Sequence, residues 1–145
     1  MLNDIDTSDD DGNINWQNIM NVISDNIGNY PAFEYVNGLN SDQATIDAKY
    51  QWYLPARDEL VDLFNGLYYD AVYRKFTCDG LKKLKDAEYS CDYFDTSNAY
   101  WSSSLDDLQA YKVYRENDTV YSSAEVLSTT LNVRAIRKFN YKIGQ

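Results

Sequence analysis

Histidine is absent from this 145-residue chain, so its chemistry rests on carboxylates, tyrosines and two cysteines. Without an imidazole there is no Ser-His-Asp or Cys-His nucleophilic unit and no His-ligated zinc. Nor is there a side chain whose ordinary pKa lies near neutrality. The 23 acidic residues are so abundant that spacing alone selects no pair for glycosidase-like catalysis. Cys78 and Cys91 lack metal-ligand company and are too few for a disulfide framework; one bridge between them or two free thiols both fit. The six glycines form no Walker or dinucleotide pattern. Asp9-Asp10-Asp11-Gly12 invites a calcium loop, but with Gly12 at the sixth position, Thr7 and Asn18 occupy the first and twelfth, where acids are required. No metal and no cofactor is expected.

Tyrosine offers a different chemistry, that of contact. Fourteen tyrosines are present, and Tyr93, Tyr100, Tyr111, Tyr114 and Tyr121 share the C-terminal half of the chain with Asn98, Ser102, Ser104, Asp106 and Asp107. Tyr, Ser and Asn are the residues of adaptable binding surfaces, because Tyr brings contact area at little rotamer cost. Strand alternation turns about half of such tyrosines inward. The candidate ligand-binding set is Tyr93, Asn98, Ser104, Asp106, Asp107, Tyr111 and Tyr114. Trp52 and Trp101 lie in short apolar segments and are assigned to the core. Glu59 is assigned to capping within its helix, and Arg134 and Arg137 to pairing with carboxylates.

The net charge of -10 and pI near 4.3 argue against a nucleic-acid partner and against docking on anionic lipid. No apolar run reaches the length of a membrane span, and the acidic start is the reverse of a signal peptide, so no membrane insertion and no targeting segment is expected in this chain. With 44% hydrophobic residues, the chain can bury one core. The domain plan is an acidic lead-in over residues 1–12, one domain over 13–141 and a tail over 142–145.

Trp52-Tyr53-Leu54-Pro55-Ala56-Arg57-Asp58-Glu59-Leu60 reads as the corner around which the elements are arranged. Pro55 favours an extended Leu54 and a helix first turn, and Leu60, Leu63, Phe64 and Leu67 form one apolar stripe. Before it, Trp16, Ile19, Met20, Ile23 and Ile27 repeat with helical period, with Asn13 or Asn15 as cap and Gly28 and Pro31 as stop. A further helical turn or two is expected over Pro31 to Leu39, around Phe33 and Val36. Leu81 and Leu84 suggest a short helix over residues 79–85, where Lys82, Lys83 and Lys85 form a small basic cluster. Strands follow: a short one at Tyr100 to Ser103, a hairpin over residues 108–115 and 119–126 turning at Glu116-Asn117-Asp118, and a closing strand from Asn132 to Phe139. Helices first and strands last predict an α+β fold with an antiparallel sheet.

Three of these pieces, in order, carry a resemblance: Asp11-Gly12 before the first helix, Trp52-Tyr53-Leu54-Pro55-Ala56 with Glu59-Leu60, and Tyr100-Trp101-Ser102-Ser103-Ser104 followed by Asn132-Val133-Arg134-Ala135-Ile136-Arg137. Together they resemble the Lcl C-terminal-domain-like family of bacterial and phage proteins. The resemblance implies a C-type-lectin-like fold, with two main helices, a twisted antiparallel sheet and long loops. It also implies a fold relation to formylglycine-generating enzymes and to the variable ligand-binding proteins of diversity-generating retroelements. Glu-Pro-Asn, Gln-Pro-Asp and the enzyme's cysteine motif are not matched, so neither calcium-mediated sugar binding nor oxidase chemistry carries over. The implied function is non-enzymatic recognition or adhesion at a cell or virion surface, binding a carbohydrate or protein ligand. The alternatives are a structural domain of a surface or phage-tail assembly, or an enzyme related to the oxidases. In this fold the final strand pairs with an N-terminal strand, and none is legible before Asp11. An open edge on the closing strand, covered by another segment or chain, is therefore expected.

Overall fold

The computed structural model describes residues 2–41, 51–68 and 97–138. These form three α-helices, α1 (Gly12–Ile23), α2 (Pro31–Leu39) and α3 (Arg57–Tyr68), and three strands, β1 (Tyr100–Asp106), β2 (Gln109–Glu116) and β3 (Thr119–Val126). The strands make one antiparallel sheet in the order β1-β2-β3. The class is α+β, as predicted.

The sheet separates two apolar clusters, and strand alternation decides which residue enters which. Trp101 and Ala110 join α1 and α2 residues Trp16, Ile19, Phe33 and Val36 on one face, where Trp16 and Phe33 stack at 5.7 Å. Tyr100 and Val113 turn the other way, onto Leu60 and Phe64 of α3, with Phe64 edge-on to Tyr100 at 5.8 Å. The β2–β3 register is unbroken from Gln109↔Val126 to Glu116↔Thr119. Asn117 and Asp118, both at positive φ, close that turn, and such residues tolerate the left-handed region.

Three local expectations are corrected. The first helix is capped by Asp11, whose Oδ1 accepts the Ile14 N–H at 3.1 Å, while Asn13 and Asn15 lie inside it and are buried. It ends at Ile23; Ser24–Asn29 tightens to a 3₁₀ segment kinked at Asn26, which still lets Ile27 reach the core. The next helix spans Pro31–Leu39 as expected, with Pro31 at its start and Phe33 and Val36 burying one side. Pro55 precedes α3 instead of entering its first turn.

The acidic lead-in belongs to the core. Leu2 is 3% exposed, Ile5 packs beside it, and the Leu105 N–H donates to Thr7 Oγ1 at 2.8 Å. The closing strand is replaced by an extended segment held at two single bridges. Asn132 lies parallel to Tyr100 and Ile136 antiparallel to Tyr53. The corner therefore meets the closing segment at Ile136, with N–H to carbonyl distances of 2.8 and 3.0 Å. The predicted helix over residues 79–85, its lysines and both cysteines lie outside the described residues, as do Phe139 and residues 142–145.

Candidate functional site

The corner places Glu59 where three elements converge. One carboxylate oxygen accepts the N–H groups of Gly12 and Ala56, each at 2.9 Å, and the other accepts the Tyr53 hydroxyl at 3.0 Å. Burial first, then the Glu59 carboxylate and then Asp11 push the Tyr53 phenol well above its ordinary value. Glu59 does cap its helix, but it also ties that helix to α1. No room for a substrate is left: a Cβ on Gly12 would stand 2.5 Å from the Ala56 nitrogen. This cluster is a structural joint.

Ser102, Ser103 and Ser104 form a second joint. The register runs from Trp101↔Lys112 to Leu105↔Ala110, so β1 bulges through the serines. Their hydroxyls serve the backbone and a buried amide. Ser102 donates to the Tyr111 carbonyl at 2.7 Å, Ser103 accepts from Asn15 Nδ2 at 3.2 Å, and Ser104 accepts the Arg57 N–H at 2.9 Å while donating to the Ser8 carbonyl at 3.0 Å.

The structure scatters the predicted ligand-binding residues. Ser104 is fully buried and is withdrawn from any binding surface. Asn98 is exposed just before β1, Asp106 ends that strand, and Asp107 occupies the following turn at φ 55°. Tyr111 lies on the α3 side under the Arg57 guanidinium, 4.8 Å from its ring centre. Tyr114, three residues on, faces the opposite side of the sheet and stacks on Tyr121 at 5.7 Å. Tyr93 lies outside the described residues. Trp101 is core as expected; Trp52 is only partly buried, and Arg137 sits over its ring at 5.4 Å.

A cleft of about 400 Å³ opens on the Tyr114 side of the sheet. Trp101 and Ala110 from the sheet and Leu54 from the corner line it, with Tyr30 and Phe33 on one wall. Leu127, Ser128, Thr129, Thr130 and Leu131, the turn after β3, form the other wall. A polar shelf leads out of it. Thr129 Oγ1 donates to Glu125 at 3.0 Å, Glu125 accepts Lys112 Nζ at 2.7 Å, and that ammonium stands 5.6 Å above the Tyr114 ring. The bonds from Lys112 and then Thr129 hold the Glu125 carboxyl below its usual range. None of the described candidate residues read from sequence lines the cleft. The available signal was the hydroxyl run Ser128-Thr129-Thr130 between two leucines, which has no strand or helix period.

Among the described residues no group of acidic, cysteine or histidine side chains is placed to hold a metal ion, and no helix is long and apolar enough to cross a membrane. No family model, curated protein or solved structure matches the chain.

Proposed function

We propose that the chain is a non-enzymatic recognition module of C-type-lectin-like fold that binds its ligand in the cleft between the sheet, α2 and the turn after β3. The observation carrying this reading is the cleft itself, whose volume of about 400 Å³ falls in the range of small-molecule sites and whose walls come from three separate parts of the chain. Its described lining is mainly apolar, with hydroxyls and one amide as its polar side-chain groups, a surface suited to holding a ligand. The helices on both faces of an antiparallel sheet support the fold assignment. The resemblance to the Lcl C-terminal-domain-like family supports a setting at a cell or virion surface.

The test begins with glycan, lipid and protein arrays to find a ligand, followed by affinity measurement on variants. Thr130 is exposed and lines the cleft, so Thr130→Trp obstructs it without disturbing the core. Affinity is expected to fall by roughly tenfold or more with an unchanged melting temperature. Undiminished binding by Thr130→Trp, or an equal loss from Asp106→Ala or Tyr111→Ala, would place recognition elsewhere.

A further inference from the structure

The lining of the cleft is graded, and the gradient points to a ligand class. Its deep side is apolar: Leu54, Ala110, Phe33 and Trp101 are 0%, 3%, 5% and 7% exposed. Its polar groups stand at the rim, where Asn29, Ser128 and Thr130 are all exposed. The more interior hydroxyls are engaged, Ser102 with the Tyr111 carbonyl and Thr129 with Glu125. No charged side chain is among the described lining residues, although the chain carries a net charge of -10. The nearby pair Lys112 and Glu125 is mutually compensated at 2.7 Å.

Resting on the cleft as the binding site, we propose that its ligand is an uncharged, mainly apolar small molecule, inserted apolar end first with a hydroxyl or carbonyl held at the rim. An ionised group on the ligand would lose water without gaining a counter-charge. A sugar would need an exposed aromatic face on which to stack and a dense set of amide and carboxylate partners. Here Trp101 and Phe33 are almost wholly covered, Phe33 in part by its stack on Trp16, which leaves Tyr30 as the one partly exposed aromatic and Asn29 as the sole amide side chain among the described lining residues. A neutral amphiphile places its hydrocarbon against the buried wall and needs only one or two rim hydroxyls.

The experiment uses the full chain and the neutral fluorophore N-phenyl-1-naphthylamine, whose emission rises in an apolar site. The competitors are 1-decanol, decanoate at a pH where it is ionised, and maltotriose. The expected result is probe binding that 1-decanol displaces, that decanoate displaces roughly tenfold less well, and that maltotriose leaves untouched. Thr130→Trp should abolish the probe signal while keeping its melting temperature. Equal competition by decanoate, displacement by maltotriose, absence of probe binding, or full probe binding by Thr130→Trp would overturn the proposal. A saccharide or peptide that binds the wild type and is blocked by Thr130→Trp would overturn the ligand class alone. An array ligand indifferent to Thr130→Trp would remove the cleft reading itself.

Discussion

At the scale of single residues, Glu59, Tyr53 and Gly12 show how one carboxylate can hold a junction. The Glu59 side chain receives two backbone N–H groups and one phenol, all within 3.0 Å. Gly12 is required because any Cβ there would meet Ala56 N and Glu59 Oε2 at 2.5 Å and Leu54 O at 2.8 Å. Gly12→Ala should therefore cost about 1–3 kcal/mol, as overpacking does, in urea denaturation. Gly28→Ala, with nothing within 4 Å of the added methyl, should leave the midpoint nearly unchanged. Tyr53 supplies a pH-dependent counterpart. Its phenol is raised in the folded state, so above about pH 10 the unfolded chain releases a proton that the folded chain retains, and stability falls as pH rises. At neutral pH, Tyr53→Phe should be less stable by about 1 kcal/mol for the lost hydrogen bond. That difference should shrink above about pH 10 at up to about 1.4 kcal/mol per unit, since the other tyrosines are common to both proteins. Parallel stability curves through that range would refute this account.

At the scale of elements, the start of α3 is satisfied in part from outside its own sequence. The Arg57 N–H donates to Ser104 Oγ, the Asp58 N–H to the Asp9 carbonyl at 2.8 Å, and the Ala56 N–H to Glu59. A helix lacking a Ser, Thr, Asp or Asn cap thus has its exposed donors answered by a strand bulge and the N-terminal segment. Ser104→Ala removes the acceptor for Arg57 and the donor to Ser8, and should cost about 2 kcal/mol with no change in ligand affinity, because the residue is buried away from the cleft. A loss of affinity without loss of stability would return Ser104 to the binding surface. The same contacts explain what was legible in sequence. Period and turn chemistry marked α1, α3 and the β2–β3 hairpin, since Leu60 with Phe64, or Asn117-Asp118, signal locally. Ser104 reads in sequence as an exposed hydroxyl, because its partners Ser8 and Arg57 are 96 and 47 residues away, and no local pattern encodes such pairings. The cleft was hidden for a related reason: Tyr30, Trp101 and Thr129 meet only when α2, β1 and the turn after β3 are folded together.

For the molecule as a whole, the outer edge of β1 decides how distant segments become one body. An exposed strand edge offers unpaired N–H groups, and here three alternate donors are met by three different stretches of chain. Trp101 N–H donates to the Asn132 carbonyl at 3.0 Å, Ser103 N–H to the Pro55 carbonyl at 2.8 Å, and Leu105 N–H to the Thr7 hydroxyl at 2.8 Å. The bulge makes this possible, because it lets successive donors diverge toward the closing segment, the corner and the lead-in instead of pairing with one straight strand. Composition marks residues 1–12 as an acidic lead-in, whereas the contacts of Thr7 and Ser8 make it the third clamp, with Leu2 buried behind them. Thr7→Val keeps the shape but leaves the Leu105 N–H without its acceptor, and should cost about 1–3 kcal/mol. Deleting residues 1–8 also removes Leu2 from the core and the Ser8 carbonyl from Asn15 and Ser104, so the expected loss is about 4 kcal/mol or more. Urea denaturation of the two variants checks both values. Equal midpoints for the deletion and the full chain would mean that the corner and closing segment hold β1 without the lead-in, and that the domain begins at α1 as its composition suggests.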